Sequence, residues 1–316
     1  MDNSLNPKLP TSATRFNDGK PPPSVTDSAR TKIVVVVGMH RSGTSALTRG
    51  LKALDVELGE RLWPPNEAVN AKGFWEDMDI NGLNVEMMKY LNSDWHYLSP
   101  IKQPQIEKLI EQGFLARAMA LLRAKVGESI RFGFKDPRVT KLLPFWQKVI
   151  ECCGYDVKYL LAIRHPLSVV ESIRRRDGFD AEKCYLLWLV YVLEMLEATK
   201  GHTKVLVDFD RLMENPEREL KRVANNFSLS LDPAGMAEYA SDFLDMSLRH
   251  TQFISQDISG DSAYLPLIRE VYATLISAAS DELPLDSIDF QEKFACWKSN
   301  FKTLEPALLL ADKLTS

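Results

Sequence analysis

An α/β fold, with a central parallel sheet layered between helices and a helical C-terminal extension, is predicted by three features of the sequence. The first is a run of five β-branched residues, Ile33-Val34-Val35-Val36-Val37, closed by Gly38. Such a run fits a strand buried on both faces of a parallel sheet. The second is that short apolar runs at 130–134, 157–163 and 204–209 alternate with stretches of helical period, an order that implies right-handed crossovers. The third is the capacity for a core: 316 residues, 45% of them apolar, suffice for one large α/β domain or two small ones.

Residues 1–30 are rich in Pro, Ser, Thr, Asn and Asp, include Pro21-Pro22-Pro23, and show no apolar period, so a disordered leader is expected. The main domain is expected over 31–230. Its first strand, 33–37, is followed by helical patterns at 45–54, 81–91 and 105–126. After the strand at 130–134 comes a helix at 142–153, and after the strand at 157–163 come helices at 166–175 and 181–199. The strand at 204–209 leads into a helix at 216–227. Residues 231–316 read as mostly helical and polar, an extension expected to pack on the same domain.

Lysine plus arginine number 39 against 43 aspartate plus glutamate, a net charge of −4, so no nucleic-acid partner is expected and any anion site must be a local patch. The longest apolar run, 185–193, falls far short of the ~20 residues that cross a bilayer, and no membrane span is expected. The N-terminal stretch lacks a basic region followed by an apolar one, which points to a cytoplasmic location. Four cysteines without a CxxC and five histidines without HxxxH or HExxH argue for neither a disulfide framework nor a metal site.

The first strand runs into Gly38-Met39-His40-Arg41-Ser42-Gly43-Thr44-Ser45 and then the helical Ala46-Leu47-Thr48. Strand, glycine-bearing loop and helix start form a phosphate cradle of a P-loop three-layer fold, because backbone N–H groups and the positive helix end converge on one anion. The nucleotide-triphosphatase loop is GxxxxGK[ST]. Here Thr44 stands where its lysine belongs and Ser45 follows, so the loop suits a shorter anion, with Arg41 as the cation. Arg41-Ser42-Gly43-Thr44 resembles the 5′-phosphosulfate loop of sulfotransferases that use 3′-phosphoadenosine 5′-phosphosulfate. The third strand ends at Arg164-His165-Pro166, with Ser172 eight residues after Arg164; this resembles the family's site for the donor's 3′-phosphate. Asp208-Phe209-Asp210-Arg211-Leu212 resembles the Tyr-Glu-Asp-Leu segment, where Asn215 and Pro216 are expected to start a helix and to serve architecture. Together these resemblances span about residues 32–230.

The resemblance implies that Arg41, Ser42, Gly43, Thr44, Ser45 and Ala46 bind the donor's 5′ end, and that Arg164 and Ser172 bind its 3′-phosphate. No metal is required. Phe134-Lys135-Asp136-Pro137-Arg138 looks like the motif of tyrosylprotein and some carbohydrate sulfotransferases, in which the lysine contacts the bridging oxygen; that role falls to Lys135. For the base, Glu76 beside Trp75 is the first choice, because burial by the indole would raise its pKa. Glu60 and Glu67 remain open. Trp63, Phe74, Trp75, Trp95, His96 and Tyr97 concentrate aromatic surface between these motifs without defining an acceptor. The expected activity is transfer of a sulfuryl group to a hydroxyl of a carbohydrate or small metabolite. Two other readings share the loop: a nucleotide-dependent kinase with an atypical P-loop, using Mg²⁺ and Asp208, and a sulfotransferase-like protein that binds nucleotide without turnover.

Overall fold

The computed structural model describes residues 30–66, 70, 72–244 and 265–314. The expected leader lies almost wholly outside them, as does Glu67. Four parallel strands, β1 (Lys32–Gly38), β2 (Arg131–Lys135), β3 (Asp156–Ile163) and β4 (Lys204–Asp208), form one sheet in the order β2-β1-β3-β4. Val36 lies opposite Lys135 on one side and Leu160 on the other, so the carboxyl ends of β1, β2 and β3 are aligned. The β-branched run of β1 serves both faces: Ile33, Val35 and Val37 enter one core, and Val34 and Val36 enter the other.

The first core is covered by α2 (Met78–Tyr90), α3 (Gln103–Glu111), α4 (Phe114–Val126), the short α5 (Arg138–Lys141), α6 (Leu143–Cys153), α7 (Pro166–Asp177) and α8 (Ala181–Ala198). The second is covered by α1 (Thr44–Gly50), which tightens into a 3₁₀ turn at Leu51–Leu54, and, beyond α9 (Phe209–Glu214), by α10 (Pro216–Phe227) and α11 (Pro233–Glu238). The single helix expected over 105–126 is two helices. Gly113 takes a left-handed φ of 83° between them, a conformation that ends one helix and starts the next at low cost only for glycine. Asn215 and Pro216 start α10 as expected, with Asn215 Oδ1 accepting from the Arg218 amide at 3.0 Å.

Three C-terminal helices follow: α12 (Leu265–Ala279), α13 (Ile288–Lys302) and α14 (Glu305–Leu314). Ile268, Val271, Tyr272 and Leu275 of α12 join the first core, and the Tyr272 ring meets His165 edge-on at 4.8 Å. From α14 the buried Asp312 carboxylate accepts from the Leu98 and Ser99 amides, each at 2.8 Å, and from the Ser99 hydroxyl. It thereby pins the irregular segment between α2 and α3. Asp312→Ala leaves these donors unpartnered and is expected to cost about 1–3 kcal/mol, read as a lower urea midpoint at unchanged m-value.

Candidate functional site

The site lies at the carboxyl edge of the sheet, where the loop between β1 and α1 rises. Its glycines are steric requirements. A Cβ on Gly38 would stand 2.6 Å from the Ala162 carbonyl oxygen, and one on Gly43, where φ is 83°, would stand 2.3 Å from the Phe209 ring. Arg41 itself has a left-handed φ of 68°, uncommon for a non-glycine residue. Thr140 ties the loop's root down: its hydroxyl accepts from the Gly38 amide at 2.9 Å and donates to the Gly38 carbonyl at 3.2 Å.

The two anion motifs, far apart in sequence, are in contact. Arg41 Nε donates to Ser172 Oγ at 2.7 Å, and Arg164 Nη1 donates to the Arg41 carbonyl at 3.4 Å. The Arg164 guanidinium lies 4.7 Å from the centre of the Phe209 ring, which also closes on Gly43. Phe209, expected to serve architecture alone, therefore packs against both motifs. Burial, followed by the positive charges of Arg176 and Arg164, lowers Arg41 to about 10. Arg164 and Arg176 thus gather positive charge around Arg41 at the loop. Of the arginine triplet, Arg174 and Arg175 are exposed, and only Arg176 turns inward, onto Trp95.

Lys135 and Glu76 meet in a buried ion pair, Nζ to Oε1 at 2.7 Å. The same ammonium lies 3.3 Å from Ser45 Oγ, which in turn donates to the Phe74 carbonyl at 2.9 Å. Glu76 immediately precedes Asp77, the residue whose carboxylate caps α2 by accepting from the Asp79 and Ile80 amides. Trp75 before it has a left-handed φ of 57°. The expected contact of the indole with Glu76 is not what the structure shows: the Trp75 ring packs on Phe243 and lies under Arg49 at 5.5 Å, and its Nε1 donates to the Lys72 carbonyl at 2.9 Å. Burial raises the Glu76 carboxyl above its ordinary range, Lys135 opposes that rise, and Asp136 adds to it.

Residues that sequence reasoning passed over orient this pair. Asn81 Nδ2, on α2, reaches both Glu76 Oε2 and Asp136 Oδ2 at 3.2 Å. Asn84 Nδ2 donates to Asp136 Oδ2 at 3.0 Å and is itself held by Trp146 Nε1 at 2.8 Å. Two asparagines three apart on a helix whose other inward residues are apolar were the available signal. Glu60 is exposed, outside this network. Asp208 caps α9 by accepting from the Asp210 and Arg211 amides, and its burial raises its carboxyl to about 7. The basic pair Arg249-His250, which the sequence offers as a C-terminal cover for a nucleotide, lies outside the described residues.

Comparison with curated proteins gives no match. Similar solved structures include the sulfotransferase domain of the Synechococcus PCC 7002 olefin synthase, at 18% identity and a TM-score of 0.44, covering 77% of this chain and 95% of that one. The sulfotransferase domain from the curacin biosynthetic pathway has 16% identity, coverage of 77% and 98%, and a TM-score of 0.44. Sulfotransferase STF1 from Mycobacterium tuberculosis H37Rv has 14% identity, coverage of 78% of each chain, and a TM-score of 0.38. The sulfotransferase family model matches residues 34–233, well over half of the chain and a range that holds every described residue of the site, and the chain therefore belongs to the sulfotransferase family.

Proposed function

We propose that the protein transfers a sulfuryl group from 3′-phosphoadenosine 5′-phosphosulfate to a hydroxyl of a carbohydrate or small-molecule acceptor. The observation that carries this reading is the contact between the two anion motifs, Arg41 Nε with Ser172 Oγ at 2.7 Å and Arg164 with the Arg41 carbonyl. One nucleotide phosphorylated at both its 3′ and 5′ positions would engage both motifs at once, whereas a nucleoside triphosphate has no use for the second. Arg41 to Ala46 would hold the 5′ end, and Arg164 with Ser172 the 3′-phosphate. The cationic loop, whose glycines let it pack closely on Ala162 and Phe209, supports a phosphorylated donor.

In the transfer, the bond from sulfur to the acceptor oxygen forms as the bond from sulfur to the bridging phosphate oxygen breaks. Lys135 stabilises the negative charge that grows on the departing oxygen, and Glu76 takes the acceptor proton. Pairing of these two residues before substrate arrives keeps the carboxylate occupied. Movement of the ammonium toward the phosphosulfate would release the carboxylate for the acceptor. Neither step asks for a metal ion, and among the described residues no three His, Cys, Asp or Glu side chains are grouped to hold one.

Adenosine 3′,5′-bisphosphate at 100 times its Kd is expected to stabilise the fold by about 2.7 kcal/mol, roughly 5–10 °C in melting temperature. 5′-AMP at the same concentration is expected to give far less, and EDTA is expected to leave the shift intact. Equal shifts from the two nucleotides would count against the donor assignment. A strict Mg²⁺ requirement together with ATP consumption would select the kinase reading instead.

A further inference from the structure

A strip of rings runs away from the phosphate loop. It starts at His40, whose ring centre is 4.4 Å from that of Trp95, and continues from Trp95 to Phe179 at 5.8 Å. His96 lies 5.4 Å from Phe179 and 5.2 Å from Tyr97. None of the five is fully buried. Contiguous half-exposed aromatic surface is a common mark of a binding surface.

The backbone that carries Trp95, His96 and Tyr97 has no regular structure of its own, yet it is held from three helices. Tyr191 Oη on α8 donates to the Trp95 carbonyl at 2.9 Å, Lys141 Nζ on α5 donates to the Ser99 carbonyl at 3.1 Å, and Asp312 on α14 holds the Leu98 and Ser99 amides. An irregular segment fixed in this way presents its side chains preorganised.

Two cations border the strip, and they differ. Arg176 lies 5.1 Å from the Trp95 ring centre and is paired with Asp177 at 2.8 Å. Lys183 lies 4.5 Å from the Phe179 ring centre with its Nζ 3.4 Å from His96 Nδ1, and has no carboxylate within ion-pair distance among the described residues. At the loop end, the buried His40 Nε2 has no hydrogen-bond partner. Burial together with the charges of Arg176, Arg138, Lys135 and Arg41 holds that imidazole well below its usual range, so it is neutral at pH 7. The strip thus offers an unmatched polar nitrogen near the reacting end, an apolar middle, and an uncompensated ammonium at the far end.

We propose that this strip is the acceptor subsite and that it takes a ring bearing an anionic substituent. The hydroxyl to be sulfated meets His40 Nε2, the ring lies along Trp95 and Phe179, and the anion is held by Lys183. The proposal rests on the transfer reading above and adds the acceptor's class to it. Charge complementarity selects the anion: beside a neutral ring, the Lys183 ammonium keeps the His96 nitrogen and the Phe179 ring but no carboxylate within ion-pair distance among the described residues.

The test titrates the protein, saturated with adenosine 3′,5′-bisphosphate, with 4-hydroxyphenylacetate and with its uncharged amide, 4-hydroxyphenylacetamide, by calorimetry and ligand-observed NMR. The acid is expected to bind roughly tenfold more tightly than the amide, the worth of one charge-assisted hydrogen bond. Lys183→Met is expected to erase that preference while leaving the bisphosphate melting shift as it was. Trp95→Leu is expected to weaken acid and amide alike. Equal binding of the two probes overturns the anionic class, no saturable binding of either overturns the subsite, and a preference that survives Lys183→Met overturns the assignment of that lysine. Failure of the bisphosphate itself to bind would instead strike the donor reading beneath.

Discussion

Glu76→Gln is expected to transfer sulfuryl about 10²- to 10⁴-fold more slowly than the wild-type protein, the usual cost of losing a general base. Affinity for adenosine 3′,5′-bisphosphate should be unchanged. The amide oxygen of glutamine can still accept from Lys135 Nζ, now at 2.7 Å from Glu76 Oε1, while the bond that Asn81 Nδ2 donates to Oε2 is lost, so most of the site's shape survives and its basicity does not. The pH profile gives a second readout. The carboxyl must be ionised to take a proton, and burial has raised it above the ordinary glutamate range, so the rate should fall as pH drops through that raised value. Lys135→Met removes the ammonium that opposes the rise. The acid limb should then move to higher pH, and the rate should fall because no cation offsets the negative charge growing on the leaving oxygen. If Glu60→Gln or Glu67→Gln abolishes turnover while Glu76→Gln stays active, the base is misassigned although the family stands.

Arg164→Ala is expected to weaken adenosine 3′,5′-bisphosphate by about 10- to 150-fold, the worth of a charged hydrogen-bonding pair lost at a phosphate, and to leave 5′-AMP nearly untouched. The bisphosphate's advantage in melting temperature should shrink accordingly. Arg164→Lys should fall between, since it keeps the charge and loses the planar fork. Ser172→Ala removes the acceptor of the Arg41 Nε bond and should cost less. An equal loss for both nucleotides would mean that Arg164, through its bond to the Arg41 carbonyl, serves the 5′ end instead.

Much of the loop side of the candidate site was legible in the sequence because its geometry is local. The cradle from Gly38 to Ala46 is built by consecutive residues, whose strand, glycines and helix start carry their geometry in their own order. The same holds for Arg164 just after β3 and Ser172 nearly two turns into α7, and for the β-branched run whose alternate residues enter the two cores. The break at Gly113 escaped because an apolar period alone does not report a left-handed turn. Which glutamate faces Lys135 was not legible either: Glu76 and Lys135 are 59 residues apart, and no spacing rule joins them. Their meeting depends on how α2 packs beside β2, on the left-handed turn at Trp75, and on Asn81 and Asn84 reaching Asp136 across that packing. Likewise only the tertiary structure closed Phe209 over Gly43, brought Arg41 to Ser172, and set Trp95 against His40: the first two contacts join separate connections of the sheet, and the third joins distant ends of the long connection between β1 and β2. Sequence by itself determined the sheet, most of the helices and the loops at the sheet's carboxyl edge, which follow from short-range pattern and backbone geometry; the partners of Arg41, Glu76 and Lys135 came from long-range packing.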